Sequence, residues 1–256
     1  MNRKYLIIPE YEQLDKTMEL AEQYSLGFEY NDFFHPRIYS NEEEVKNRCN
    51  TYLKLPRDRG ADTLHGVFLD MAMTSRDPQI RSYSRKKVEQ SLEIGERLGV
   101  RGVVFHTGLI AELQIVSYLD SWLYESEAFW RIMAKNYSGM EIYLENSFEK
   151  TPEMLIRLKQ NMEDVKNFKL CLDYGHACLT PTPVAEWAKK MGPYVGHIHL
   201  NDHDLRADLH QVPGEGALNF QQCKSLLEEY LAKVPILLEL NGIEQQRKAL
   251  EYMTKL

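Results

Sequence analysis

A chain of 256 residues with 43% hydrophobic content can bury a full core, and a single α/β barrel of about 250 residues fits that length. The formal net charge of -7 weighs against a dominant nucleic-acid footprint, although a local basic groove is a separate question. No segment reaches the roughly 18 continuous apolar residues of a membrane span, and MNRKYLIIPEYEQ holds too short an apolar run for a secretory signal, so the reading is cytoplasmic, without a membrane partner.

Strand-like and helix-like stretches alternate from end to end. Tyr5–Pro9 (YLIIP) precedes a helical pattern from Tyr11 to Tyr24, with Leu14, Met18 and Ala21 on one face. Gly27–Asn31 (GFEYN) precedes the polar helix Glu42–Leu53. The third strand lies in Thr63–Phe68 (TLHGVF), followed by a helix over Pro78–Leu98 and a fourth strand in Arg101–His106 (RGVVFH). Leu109–Tyr137 carries two helical patterns, with Trp122, Phe129 and Trp130 packing on the barrel exterior. Strands five to eight fall in Met140–Glu145, Phe168–Asp173, Tyr194–Leu200 and Val234–Glu239. The helices after them are expected near Pro152–Met162, Pro183–Met191, Phe220–Ala232 and Ile243–Met253. Thr151-Pro152 and Thr182-Pro183 read as helix starts, Thr as the cap and Pro in the first turn.

Eight strand–helix pairs in order predict one (β/α)8 barrel domain over residues 1–256. A doubly wound open sheet would want a Gly-rich turn after the first strand, and Ile8-Pro9-Glu10-Tyr11 is not one. The cysteines Cys49, Cys171, Cys178 and Cys223 show no CxxC spacing and read as reduced packing residues.

The informative residues sit at strand ends. Strand alternation puts Val104 with His106, Tyr143 with Glu145, Cys171 with Asp173 and Leu237 with Glu239, so these ligand types crown the C-terminal mouth if they point inward. Glu145, Asp173, His199 and Glu239 form the firmest set. No Lys or Arg lies within two positions of the three carboxylates, and unpaired acids at a barrel mouth are costly. A divalent ion (Mn²⁺, Mg²⁺, Co²⁺ or Zn²⁺) answers that cost better than ordinary ion pairing. His65, His106, His176, Asp208 and His210 come next, completing a site of one to three ions. Of the eight histidines, all but His35 fall at strand ends or in the loop after strand seven. His197 reads as a supporting or core histidine, and Glu215 in Gly214-Glu215-Gly216 as orienting His210 or as a plain turn residue. Phe68, Tyr174 and Phe105 stack on a substrate or belong to the core, with core preferred for Phe105. Arg37, Arg76 and Arg206 are loop arginines available to an anion, although solvated arginines are commoner.

In these stretches (LHGVFLDMAMTSRDPQIRSYS, VVFHTG, LENSF, CLDYGHA, HIHLNDHDLRADLHQVPGEG and LELNG) the chain resembles the xylose-isomerase-like TIM-barrel superfamily over essentially its whole length. That superfamily holds endonuclease IV, an apurinic-site endonuclease, together with sugar isomerases and epimerases. The resemblance implies the barrel and metal binding, and it splits on chemistry. The positions that hold a trinuclear zinc cluster in endonuclease IV are occupied here by His65, His106, Glu145, Asp173, His176, His199, Asp208, His210 and Glu239. Yet in YNDFFHPRIYSNEEEVKNR only Arg37 precedes the EEE run, where that enzyme carries a basic hook, and Phe68 stands where it has Tyr. The isomerase branch implies a single-metal quartet of Glu145, Asp173, His199 and Glu239, with both glutamates shuttling a proton through a metal-stabilised enediolate. On the isomerase reading His176 is expected to contact substrate hydroxyls, and Phe68 and Arg206 are the further candidate substrate-binding residues. The leading expectation is therefore a metal-dependent sugar or sugar-phosphate isomerase or epimerase. The alternatives are a zinc-dependent endonuclease acting on nucleic acid, and a metal-stabilised barrel without turnover. Homo-oligomerisation is left open.

Overall fold

The computed structural model describes residues 4–256; the N-terminal reading above falls in part on residues 1–3, outside them. Strands β1 (Tyr5–Ile7), β2 (Gly27–Tyr30), β3 (Thr63–His65), β4 (Gly102–His106), β5 (Glu141–Glu145), β6 (Phe168–Asp173), β7 (Val195–Leu200) and β8 (Ile236–Leu238) close in sequence order into a parallel barrel. Around it lie α1 (Leu14–Tyr24), α2 (Pro36–Tyr39), α3 (Glu42–Leu53), α4 (Pro78–Leu98), α5 (Val116–Asn136), α6 (Glu153–Asn161), α7 (Tyr174–Cys178), α8 (Val184–Met191), α9 (Phe220–Tyr230) and α10 (Ile243–Lys255). No helix among the described residues is long and apolar enough to cross a membrane.

Local chemistry explains most boundaries. Asp77 accepts from the amides of Gln79 and Ile80 to open α4, with Pro78 in the first turn, and Gly99 at φ 69° closes it. Asn41 caps α3 in the same way. The large apolar side chains Trp122, Phe129, Trp130 and Phe105 pack together between the helices and the strands, as their pattern predicts. The four cysteines carry no disulfide.

Three local expectations change. Only one helix, α5, forms in the stretch read as two. Gly108 at φ 62°, with the Leu109 amide on Thr107 Oγ1, turns the chain into a loop before Val116. Thr151 and Thr182 do not cap helices: α6 and α8 follow Pro152 and Pro183 without a side-chain cap. The Thr182 hydroxyl instead donates to the Lys150 carbonyl at 2.7 Å, tying two loops together. Finally, β3 ends at His65, although the Gly66 amide still donates to the Val104 carbonyl at 2.8 Å; Gly66 abuts the Phe105 ring so closely that a Cβ there would meet it at 2.1 Å.

Candidate metal centre

Strand register explains why residues distant in sequence meet. His106 pairs with Glu145 across β4 and β5, and Asp173 with His199 across β6 and β7. Two positions earlier on those strands, Val104, Tyr143 and Cys171 form an apolar cluster, and Leu6, Ile8 and Leu237 form another. Period two therefore carries His106, Glu145, Asp173 and Glu239 onto the same inner face, one layer nearer the mouth.

Glu145, Asp173, His199 and Glu239 are all buried, and each offers one ligand atom within 4.8 Å of the others. His199 Nδ1 lies 3.3 Å from Glu145 Oε1 and 3.4 Å from Glu239 Oε2, so the two glutamates share one imidazole nitrogen. On the other side of Glu145, Oε2 faces His65 Nε2 at 3.5 Å and His106 Nε2 at 3.4 Å. A third group gathers around Asp208, whose Oδ2 lies 3.2 Å from His176 Nε2 and 2.9 Å from His210 Nε2. Together these contacts bring all nine expected ligands to one end of the barrel.

The histidines are aimed before any ligand arrives. His65, His176 and His210 each hold Nδ1 at 2.9 Å from a backbone carbonyl, of Gly66, Asn146 and Glu239 respectively. A carbonyl only accepts, so Nδ1 carries a proton and Nε2 is the nitrogen turned toward the carboxylates, able to serve as a metal donor once it sheds its own proton. Asp173 is aimed similarly. Its Oδ1 accepts the His176 amide at 2.6 Å, capping α7, which leaves Oδ2 for the centre.

A divalent cation fits this arrangement. Glu145 Oε1 and Oε2, Asp173 Oδ2, His199 Nδ1 and Glu239 Oε2 are buried and take no hydrogen bond among the described residues. Buried polar atoms normally find partners, and five converging orphans that are oxygen and imidazole nitrogen form the donor set of a hard or borderline divalent ion.

A family model described as the xylose isomerase-like TIM barrel matches residues 18–256. The chain belongs to this family. An uncharacterised protein of Methanocaldococcus jannaschii is 26% identical over 196 residues, which is 74% of this chain and 72% of that one. A D-tagatose 3-epimerase-like protein superposes with a TM-score of 0.79 at 23% identity, covering 98% of this chain and 96% of its own. A Thermus thermophilus protein soaked with zinc chloride superposes with a TM-score of 0.75 at 22% identity, covering 99% and 96%.

In this xylose isomerase-like barrel the carboxylates and imidazoles titrate against each other. Burial works to raise Glu145, but His199 and His106 outweigh it and hold the carboxyl well below the usual range. Glu239 is lowered in the same way, burial opposing and His199 prevailing. Burial pushes Asp173 up, helped by Glu239 and Glu145. Burial opposes charge on His199, yet Glu145, Glu29 and Glu239 carry it well above the ordinary imidazole value; the neighbouring Cys171 thiol, kept neutral by its own burial, adds no charge. Burial lowers His106 to about 4. Asp208 lifts His210 to about 10 against burial.

Above the centre opens a cleft of about 780 Å³. Phe68 stacks on His106, with centroids 4.4 Å apart, and packs on Phe34 at 4.9 Å, while Phe148 stands over His176 at 5.4 Å. Phe34 and Phe148 escaped the sequence reading because single aromatics in loops carry no periodic signal. Tyr174 and Phe105 are core. Arg206, expected to contact substrate, is exposed and does not line the cleft; its amide is spent on Asp204 Oδ1 in a loop turn. Arg37 and Arg76 do not line it either. Glu215 does not orient His210. It is exposed and pairs with Lys248 at 3.6 Å, while the Glu239 carbonyl holds His210.

The Gly214–Gly216 turn serves a different acid. Buried Asp202 accepts the amides of Gly214 and Gly216 at 2.9 Å on Oδ2, and those of His203 at 2.8 Å and Leu218 at 3.1 Å on Oδ1. A Cβ on Gly216 would lie 2.3 Å from that carboxylate. Asp202 thereby shapes the loop that carries Asp208 and His210, the latter at φ 47°.

Proposed function

We propose that the protein is a divalent-metal-dependent isomerase or epimerase of small, uncharged sugars. The observation that carries this reading is the pairing of an unpartnered Glu145–Asp173–His199–Glu239 cage with a cleft that has no cation to spare. Glu10, Glu12, Asp32, Asp70, Asp208 and Glu239 line the cleft, and Arg48 is the one Lys or Arg among the described residues that does. Arg48 is engaged by Asp32 at 3.2 Å and Glu44 at 2.8 Å, and it lies over the Tyr11 ring at 4.0 Å. A phosphate or a nucleic-acid backbone entering there meets like charge. A neutral polyol meets many hydrogen-bond acceptors and an apolar wall of Phe34, Phe68 and Phe148, and the cleft has the size of a small-molecule site. The resemblance of the fold to a D-tagatose 3-epimerase-like protein points the same way.

A divalent ion held by Glu145, Asp173, His199 and Glu239 would supply positive charge opposite the oxygens of the sugar. Glu145 and Glu239 approach His199 Nδ1 at 3.3 and 3.4 Å, and their ligand oxygens lie within 4.8 Å of one another. His199 holds both carboxyls ionised in the metal-free protein, and they would stay ionised beside a divalent ion, so each begins as a proton acceptor. One takes the proton from the carbon beside the carbonyl, leaving an enediolate and a neutral carboxyl; the other takes a proton from solvent and delivers it to the opposite face of that carbon, and the first then gives its proton to solvent. The buried floor of Val104, Tyr143 and Cys171 keeps water from below.

Chelator-stripped protein reloaded with Mn²⁺ is expected to release tritium to solvent from a ketose labelled beside its carbonyl. Glu145→Gln and Glu239→Gln should each lower that release by about 10²–10⁴-fold. Unchanged release in both variants would overturn the assignment.

A second reading, a polynuclear phosphodiesterase, is favoured by one feature: Glu145 Oε2 is claimed by His65 and His106, and His176, Asp208 and His210 make a further group. It expects close to three ions per chain and hydrolysis of an abasic-site duplex. The acidic cleft opposes it.

A further inference from the structure

His199 differs from the other oriented histidines of the centre. His65, His176 and His210 turn Nδ1 back to a carbonyl and Nε2 forward, whereas His199 turns Nδ1 forward, toward Glu145 and Glu239. Behind it, Nε2 lies 3.1 Å from Glu29 Oε1, close enough for an ion pair although neither atom takes part in a hydrogen bond among the described residues. Glu29 projects from β2 into the barrel interior and has no exposed surface. Thr63 Oγ1 donates to its Oε2 at 2.6 Å, and His197 Nε2 lies 2.9 Å from the same oxygen. No Lys or Arg among the described residues pairs with it. A carboxylate taken wholly out of water is costly unless its partners repay the lost hydration, and an apolar side chain would fill the space more cheaply.

We infer that Glu29 is a positioning residue that keeps the proton of His199 on Nε2 and its Nδ1 lone pair aimed into the cage, with Thr63 and His197 clamping the carboxylate from the other side. This rests on the reading of the centre as a divalent-metal site. A carboxylate behind a ligand imidazole fixes its tautomer and strengthens it as a donor, and loss of such support characteristically weakens metal binding 10–100-fold.

The test uses the whole chain and two variants, Glu29→Gln, which keeps the shape, and Glu29→Leu, which fills the space without charge. Zn²⁺ affinity measured by calorimetry should fall about 10–100-fold in both, while thermal unfolding in chelator shows both still folded. In nitrogen-15 spectra the His199 Nε2–H resonance should lie downfield and exchange slowly, with or without zinc, and move upfield in Glu29→Gln. Affinity within twofold of the parent, with an unmoved resonance, overturns the positioning role. If the parent itself takes up no divalent ion, the proposed function fails, and the resonance alone then decides the part assigned to Glu29.

Discussion

The floor and the mouth of the barrel both bury carboxylates, and they treat them in opposite ways. At the floor, Asp62 Oδ1 accepts from Arg57 at 2.6 Å and from the Phe28 amide at 2.8 Å, and Oδ2 accepts from Tyr30 at 2.9 Å. Its hydrogen-bonding capacity is used, and the Arg57 guanidinium also covers the Phe28 ring at 3.3 Å. At the mouth, Glu145 is equally buried and neither oxygen has a hydrogen bond. A satisfied buried acid holds the fold together, whereas unsatisfied acids gathered in one place await a ligand, which is why stability and activity divide between the two ends of such barrels.

The sharpest way to break this contrast is at the floor. Arg57→Met should destabilise the protein by about 3–5 kcal/mol by leaving Asp62 charged and unpaired. Ion affinity in the protein that remains folded should hold, as denaturant titration and calorimetry would show. Asp173→Asn should do the reverse. Divalent-ion affinity is expected to fall at least about 100-fold, while the metal-free protein melts higher, because a carboxyl burial disfavours has lost its charge. A lower melting temperature in chelator would contradict the account of the mouth.

Between these extremes lies the loop built on Asp202. Asp202→Ala strips the acceptor from four backbone amides and should cost about 2–3 kcal/mol. It should also broaden the His210 ring signals while leaving those of His199 sharp. Uniform loss at both histidines would mean that the strand-borne and loop-borne ligands are not separate.

The pH dependence follows from His210. Its folded value of about 10 lies above the ordinary imidazole value of 6.5, so the contribution is complete below about 6.5 and is lost as pH rises through 10. In chelator, the stability difference between the parent and His210→Gln should therefore shrink across that window. Ion affinity should instead rise with pH, since His199, His176 and His210, all raised, must shed a proton to bind. The smallest effect belongs to the surface pair. Glu215→Ala should change stability by less than about 0.5 kcal/mol and leave ion affinity unaltered.

How far the residues could be read in advance depended on the range of the force involved. Strand-end His, Asp and Glu were legible because period-two alternation ties each to an apolar partner two positions earlier. Glu29 was missed. In GFEYN it resembles any polar residue on a short strand, and only closure of β2 beside β3 brings Thr63, His197 and His199 around it. Glu215 was read as orienting His210 or as a plain turn residue, and it is the turn residue: the glycines beside it supply amides to Asp202, an acid that nothing in the local pattern singles out. The second helix expected in the 109–137 stretch is absent: the chain turns at Gly108, at φ 62°, and runs as turn and loop until α5 begins at Val116.

From the order of residues alone came the barrel, its strand order and the gathering of His, Asp and Glu at the mouth, since the alternation of side-chain direction is a local property of each strand. Tertiary structure decided which nitrogen of each histidine faces the centre, which carboxylates lack a partner, and that the cleft above them has no free cation. Those depend on distances between strands, and only a closed barrel sets such distances.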